Sequence, residues 1–241
     1  MRRLWALPDT EGESSPAIAL CNPNGHIRQA ALAAPGAAAL LPLVTIRCAD
    51  WVAPVREQAR ELLRSALPDT RPEILAAVTA VALRTAHRQH GGFAHELVVA
   101  AAREPGAVDA LLTCKDRSAR RLGHRIAVEQ GRFSPARLAE IAAADSDIVV
   151  QDLCANAALA ATPQDDQFFE PLLGSRQSRV RAAGVTALNR TGDTGRATAF
   201  LADRSGLVRA CARWVLRQHG IDPVPYYRTA CASPGAVAGL G

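Results

Sequence analysis

A short pattern returns along this chain at a spacing of about thirty residues. It reads NPNGHIRQAAL around Arg28, DWVAPVREQARELL around Arg56 and CKDRSARRLGHRI around Arg120. It returns as DSDIVVQDLCANAAL around Gln151, SRQSRVRAAGVTAL around Arg181 and DRSGLVRACARWVL around Arg209. Three residues after each Arg or Gln stands a small residue: Ala31, Ala59, Gly123, Cys154, Gly184 or Ala212. Six residues before it stand Asn22, Asp50, Cys114, Asp145, Ser175 and Asp203, and all but Cys114 have side-chain oxygens suited to capping a helix. Successive Arg/Gln positions differ by 28, 64, 31, 30 and 28 residues. The interval of 64 takes a degenerate unit, HGGFAHELVV, with His90 and Glu96 in the corresponding places. The chain is thus expected to hold about seven units.

Each unit reads as a helical hairpin. The residue six before the Arg or Gln caps the second helix, and Pro54 suits a first turn, where its missing N–H costs nothing. Positions 52, 55, 59, 62 and 63 then form an apolar stripe of helical period. The small residue lets a neighbouring helix approach closely. Helix pairs are predicted near 15–21 and 24–34, 36–48 and 52–66, 71–88 and 92–104, and 106–113 and 116–130. Others are predicted near 134–144 and 147–161, 163–173 and 177–191, and 194–202 and 205–219, each boundary good to about two to four residues. One hairpin cannot bury its apolar face, so stacking must supply the core.

Composition agrees with this class. Apolar residues are 49% of the chain but aromatics only 4%, so the core is built of Ala, Leu and Val, which favours packed helices over a β-sandwich. Six cysteines without a CxxC pattern read as reduced, small core residues. The opening MRRLWALPDTEGE lacks the apolar run of a secretory signal. Residues 29–46 are nearly free of charge, but Pro35-Gly36 and Pro42 break them, so no membrane span is expected. A cytoplasmic location follows as the expectation.

DWVAPVREQARELL and DRSGLVRACARWVL resemble the HEAT repeat, in particular the short HEAT-like type first associated with phycobilin lyases and found in bacterial HEAT-repeat proteins. The resemblance covers roughly residues 15–219. It implies an all-α fold, a right-handed α-solenoid of about seven hairpins. It also implies a ladder between repeats, formed by the Asp and Arg six apart. Carried onto this chain, the ladder takes Arg28, Asp50, Arg56, Arg120, Asp145, Arg181, Asp203 and Arg209. Units with Cys114, Gln151 or Ser175 depart from the pattern, which interrupts the ladder. Because the Asp50/Arg56 motif recurs, it reads as architecture rather than as a catalytic pair.

Net charge is +5, and Lys115 is the sole lysine. Arg56, Arg60 and Arg64 share one helix side, as do Arg209, Arg213 and Arg217; Arg117, Arg120, Arg121 and Arg125 form a third cluster. In HEAT-like solenoids the second helices line the concave surface, so these stripes form a candidate basic face for an acidic protein or for phosphates. The bland alternative is a ladder plus a solvated face. His87, His90, His95 and Glu96 offer zinc-ligand types, but around Gly91-Gly92 they match no ligand spacing and read as an exposed turn. Some HEAT-like proteins are DNA glycosylases that use aromatics and an acid; here only Trp5, Trp51 and Trp214 are available, far apart. Phosphate-loop and nucleophile-elbow motifs are absent from the sequence.

The expected organisation is an N-terminal segment 1–14, a solenoid 15–221 and a tail 222–241. The segment 8–16 is expected to be mobile, the tail to anchor through a turn at Tyr226-Tyr227 and to lose order beyond about residue 231. The expected function is a non-enzymatic scaffold that binds a protein partner along its concave face, without a cofactor or metal. A nucleic-acid-binding solenoid is the alternative, and a glycosylase- or lyase-type enzyme the third. Oligomeric state is open at this level.

Overall fold

The computed structural model describes residues 15–161 and 169–232. The segment 1–14 with Trp5, the expected mobile stretch before residue 15 and the tail beyond residue 232 lie outside them. The described residues are all-helical, without a strand. The chain divides into two compact units, Met1–Gly123 and His124–Gly241.

In the first unit the helices are α1 (Pro16–Leu20), α2 (Gly25–Ala33), α3 (Leu41–Arg47), α4 (Ala53–Ala66), α5 (Pro72–Thr85), α6 (Gly92–Ala101) and α7 (Pro105–Leu112). α8 (Arg117–Glu129) contains the division between the units. The odd-numbered helices pack in succession, α1 on α3, α3 on α5 and α5 on α7; so do α2, α4 and α6. Two layers of helices result, with Leu20, Val44, Val55, Leu63, Val78 and Val98 sealed between them. Each fully buried Leu or Val contributes about 1.5–3 kcal/mol.

The second unit continues with α9 (Pro135–Ala144), α10 (Ile148–Ala160), α11 (Phe169–Leu173), α12 (Ser178–Thr191), α13 (Thr194–Ala199), α14 (Gly206–Gln218) and α15 (Val224–Ala232). Here α10 packs on α12 and α12 on α14, while α9 packs on α11. The core between them includes Leu172, Val185, Leu188, Leu201, Val208 and Val215.

Local chemistry explains the helix starts. α1, α5, α7 and α9 each begin on a proline, whose fixed φ suits a first turn. Side chains of Asn24, Ser134, Asp147 and Asp193 accept first-turn N–H groups of α2, α9, α10 and α13. At Gly123 and Gly184 the small residue of the repeat lies where the two helices of a hairpin meet. A Cβ on Gly123 would stand 2.7 Å from Leu111 Cβ, and one on Gly184 would stand 3.0 Å from Leu172 Cβ. Both glycines are therefore set by close approach.

Three expectations change. The helix expected at 36–48 is divided, a 3-10 turn Ala37–Leu40 leading into α3, because Pro42 lacks the N–H that would continue one α-ladder. Tyr226 and Tyr227 lie in the helix α15 rather than in a turn. Asp222 Oδ1 accepts Val224 N–H at 3.0 Å, and Pro225 falls in the first turn, where a proline starts a helix instead of breaking it. The cysteines are not uniformly core residues: Cys48 and Cys154 are buried, Cys114 and Cys211 half-buried, Cys21 and Cys231 exposed.

Among the described residues no single helix is long and apolar enough to cross a membrane. The apolar stretch through residues 29–46 bends by 114° between α2 and the Ala37–Arg47 segment, with Gly36 at φ +87° at the break.

Candidate functional site

The recurring arginines have two hands. Arg28 uses Nη1 for carbonyls of its own turn, Asn22 O at 2.8 Å and Pro23 O at 2.9 Å. Its Nε and Nη2 form a fork on the carboxylate of Asp50, at 2.9 and 2.8 Å, 22 residues downstream. Arg181 repeats this: Nη1 reaches Ser175 O at 2.8 Å and Arg176 O at 3.0 Å, and the fork holds Asp203 at 2.9 Å twice, again 22 residues on. Arg56 and Arg209 keep the first hand, donating Nη1 to Asp50 O at 3.0 Å and Asp203 O at 2.9 Å. Gln151 also keeps it, donating Nε2 to Asp145 O, because an amide has one N–H donor end but no fork. The carboxylates therefore serve the preceding hairpin, and only the carbonyl serves the Arg six residues on.

The side chain six before each Arg or Gln has its own task. Oxygens of Asn22, Asp50, Asp145, Ser175 and Asp203 accept the N–H two residues on, at 2.8, 3.0, 2.7, 3.2 and 2.7 Å. Each of these N–H groups belongs to the residue just before the helix, so the expected cap of the second helix is instead a turn ahead of it. The first-turn caps stand four residues before the Arg or Gln, at Asn24, Asp147 and Asp116, the last accepting from Ala119 N at 3.0 Å. Asp116 also pairs with Arg84.

Asp50 is wholly committed. Its side chain is 0% exposed and also accepts from Arg47 at 3.1 Å. Burial pushes its carboxyl upward, but hydrogen bonds from Arg28 and from Val52 N–H outweigh this and hold it below the usual range. Asp203 follows the same balance through Arg181 and Ser205 N–H. Trp51 lies over the Arg28 guanidinium, 4.5 Å from ring centroid to Cζ, and is itself 72% exposed. With every lone pair of Asp50 engaged, Asp50 is one half of a sealed ion pair with Arg28, over which Trp51 lies, rather than an acid waiting beside an aromatic.

The candidate basic face is largely turned to internal use in its first stripe. Arg60 donates to Cys48 O and His90 O, both at 3.3 Å, and lies over Phe93 at 4.9 Å. Arg64 pairs with Glu61 and shares the same ring at 5.2 Å. Arg56 also meets Glu57 at 3.3 Å. Arg117, Arg120, Arg121 and Arg125 lie along α8, with Arg117 and Arg125 exposed and the other two half-buried. In α14, Arg213 donates to Tyr227 OH at 3.3 Å and Arg217 is exposed. His87 and His90 lie in the α5–α6 turn, whereas His95 and Glu96, expected in the same turn, lie in the first turns of α6; no cluster of three metal-ligating side chains occurs among the described residues. His90 contributes its carbonyl to Arg60, and Glu96 is exposed.

A groove of about 520 Å³ opens across α10, α12 and α14 in the second unit. Asn156, Thr186, Asn189 and Arg190 give its polar lining, Leu159 and Trp214 its main apolar surface. Trp214 is 44% exposed. Asn189 Oδ1 is buried and has no hydrogen-bond partner. The sequence carried a signal for this groove: Asn156, Thr186 and Trp214 each stand five residues after Gln151, Arg181 and Arg209. One shared repeat position on adjacent helices makes a row.

Comparison with protein-family models, with curated proteins and with solved structures yields no match for this chain.

Proposed function

We propose that this protein is a non-enzymatic scaffold or adaptor that binds a protein partner through the face of its second helices. In this reading the hairpins of both units belong to one right-handed α-solenoid of about seven HEAT-like repeats. The solenoid reading is supported by the identical Arg-to-Asp rung in each unit, Arg28 with Asp50 and Arg181 with Asp203. A stack built on one repeated contact extends in one direction and leaves a long face available for shallow, distributed contacts.

The observation that carries the binding reading is the groove across α10, α12 and α14, with an exposed indole on an otherwise aromatic-poor chain. Partly exposed Trp is enriched at protein interfaces, where it buries a large rigid surface. The arginines favour a protein over a nucleic acid, because Arg28, Arg56, Arg60 and Arg181 spend N–H groups on their own chain's oxygens. Aromatic stacking platforms along a cationic track, which single-strand binding requires, are not offered by one Trp.

Affinity capture from native lysate, with and without nuclease, followed by mass spectrometry, tests this. A specific protein retained after nuclease treatment is expected. Co-purifying nucleic acid, with all protein partners lost on nuclease treatment, overturns the reading in favour of a nucleic-acid-binding solenoid.

A further inference from the structure

We infer that the groove across α10, α12 and α14 takes an extended acidic peptide segment bearing an apolar side chain, which rests on the scaffold reading and names its partner's chemistry. Three observations lead there.

Apart from Arg190, the polar lining is amide and hydroxyl. The amides of Asn156 and Asn189 carry both donors and acceptors, while Thr186, whose O–H donates to Ala182 O at 2.8 Å, adds an acceptor. That set matches the alternating N–H and C=O of an extended main chain; a phosphate would call for donors only. Asn189 carries the sharper signal, since its Oδ1 is buried without a donor. Such an acceptor is costly in the free protein, and a rotation of the amide toward a bound N–H removes the cost.

The apolar lining is local. Leu159, Ala183, Ala187 and Trp214 lie in the same groove, so an apolar side chain on the peptide has the indole face to cover. Trp214 is thereby the anchor, because it brings the largest surface at little entropic cost.

Charge decides the peptide's sign. Within α10, α12 and α14 stand Arg179, Arg181, Arg190, Arg209, Arg213 and Arg217 against a single acid, Asp152. Asp152 is itself 3.7 Å from Arg179. Arg181 is consumed by Asp203, but Arg190 lines the groove and Arg217 is exposed on the same helix as Trp214. Acidic residues flanking the apolar anchor therefore meet cations on two helices.

The test uses the full chain and a short synthetic peptide in which glutamates flank a central leucine, with a lysine-flanked counterpart and a single-stranded oligonucleotide as comparators. Binding is read by titration calorimetry. Saturable binding of the acidic peptide is expected, weakening with salt. Trp214→Ala should weaken it at least about tenfold. Asn189→Leu should weaken it while leaving the melting temperature unchanged or raised, since an unpartnered buried acceptor is removed. Trp51→Ala, in the other unit, should leave it unchanged. Equal or tighter binding of the lysine peptide or the oligonucleotide, loss of binding in Trp51→Ala alone, or no binding of the acidic peptide at millimolar concentration overturns the inference. A protein partner captured equally by wild type and Trp214→Ala overturns the groove and leaves the scaffold reading standing. Peptide binding without any captured protein does the reverse.

Discussion

The carboxylate of Asp50 is held by Arg28, 22 residues earlier in the chain, and not by Arg56, six residues later, which reaches only the Asp50 carbonyl. The two contacts have unequal worth. The first is a bidentate ion pair with both side chains essentially sealed from water. The second joins a partly buried arginine to one carbonyl.

Arg28→Ala and Asp50→Asn should therefore each cost about 3–5 kcal/mol, because either leaves a buried charge without its partner. Arg56→Ala should cost less, about 1.5–3 kcal/mol, the value of a hydrogen bond from a charged group. Urea unfolding of the three variants checks the order. Equal losses for Arg28→Ala and Arg56→Ala would mean that the rung is not between hairpins.

Acid should unfold the protein through the same rungs. Asp50 and Asp203 have native carboxyl groups below their ordinary value, so the unfolded chain takes up protons first as pH falls. Their contribution is complete above about pH 5 and declines as pH drops through the unfolded-state value near 4 toward the lower native values. The urea midpoint should fall steeply below about pH 4, and less steeply in Asp203→Asn, which has already lost one titrating rung. A pH slope identical to wild type in that variant would remove Asp203 from the account.

Enlarging the small residue inside a hairpin should be costly. Gly184→Val adds atoms beyond a Cβ that already meets Leu172 at 3.0 Å, and a loss of about 1–3 kcal/mol is expected. Gly195→Ala has only the Asp193 carboxylate near it, at 3.6 Å, and serves as the tolerant comparison. Thermal unfolding distinguishes the two.

Thiol reactivity should divide by burial. Burial pushes Cys48 up to about 12 and Cys154 up to about 11, so both remain protonated and inaccessible at neutral pH. Iodoacetamide under native conditions should alkylate Cys21 and Cys231, which are exposed, and reach Cys48 and Cys154 only after denaturation. Fast native labelling of Cys48 would contradict the packing of α3 on α4.

How much of this was legible beforehand differs by element. Apart from the break before α3, the helices from α2 to α14 follow from apolar periodicity, prolines at first turns and cap residues, all of which act over a few neighbours along the chain. α15 did not, because two prolines beside two tyrosines read as a broken turn until Asp222 is seen capping Val224. The repeat also marked which residues matter, Arg28, Asp50, Arg181 and Asp203 among them, without saying which touches which. Spacing of six within one unit suggested a pair; the guanidinium instead spans to the next hairpin, a distance in space that no sequence interval encodes.

The arginine stripes make the same point. Helical geometry puts Arg56, Arg60 and Arg64 on one side of α4, and that much was written in the sequence. Whether a cation on that side faces water or a protein oxygen depends on what packs beside it, and here Phe93, Cys48 and His90 arrive from other helices. The groove at Trp214 likewise needs three helices set side by side before Asn156, Thr186 and Trp214 become neighbours. Local chemistry along the chain determined the helices and the repeated positions; the meeting of those positions across hairpins, and so the burial of each charge and the placing of the groove, was decided by packing.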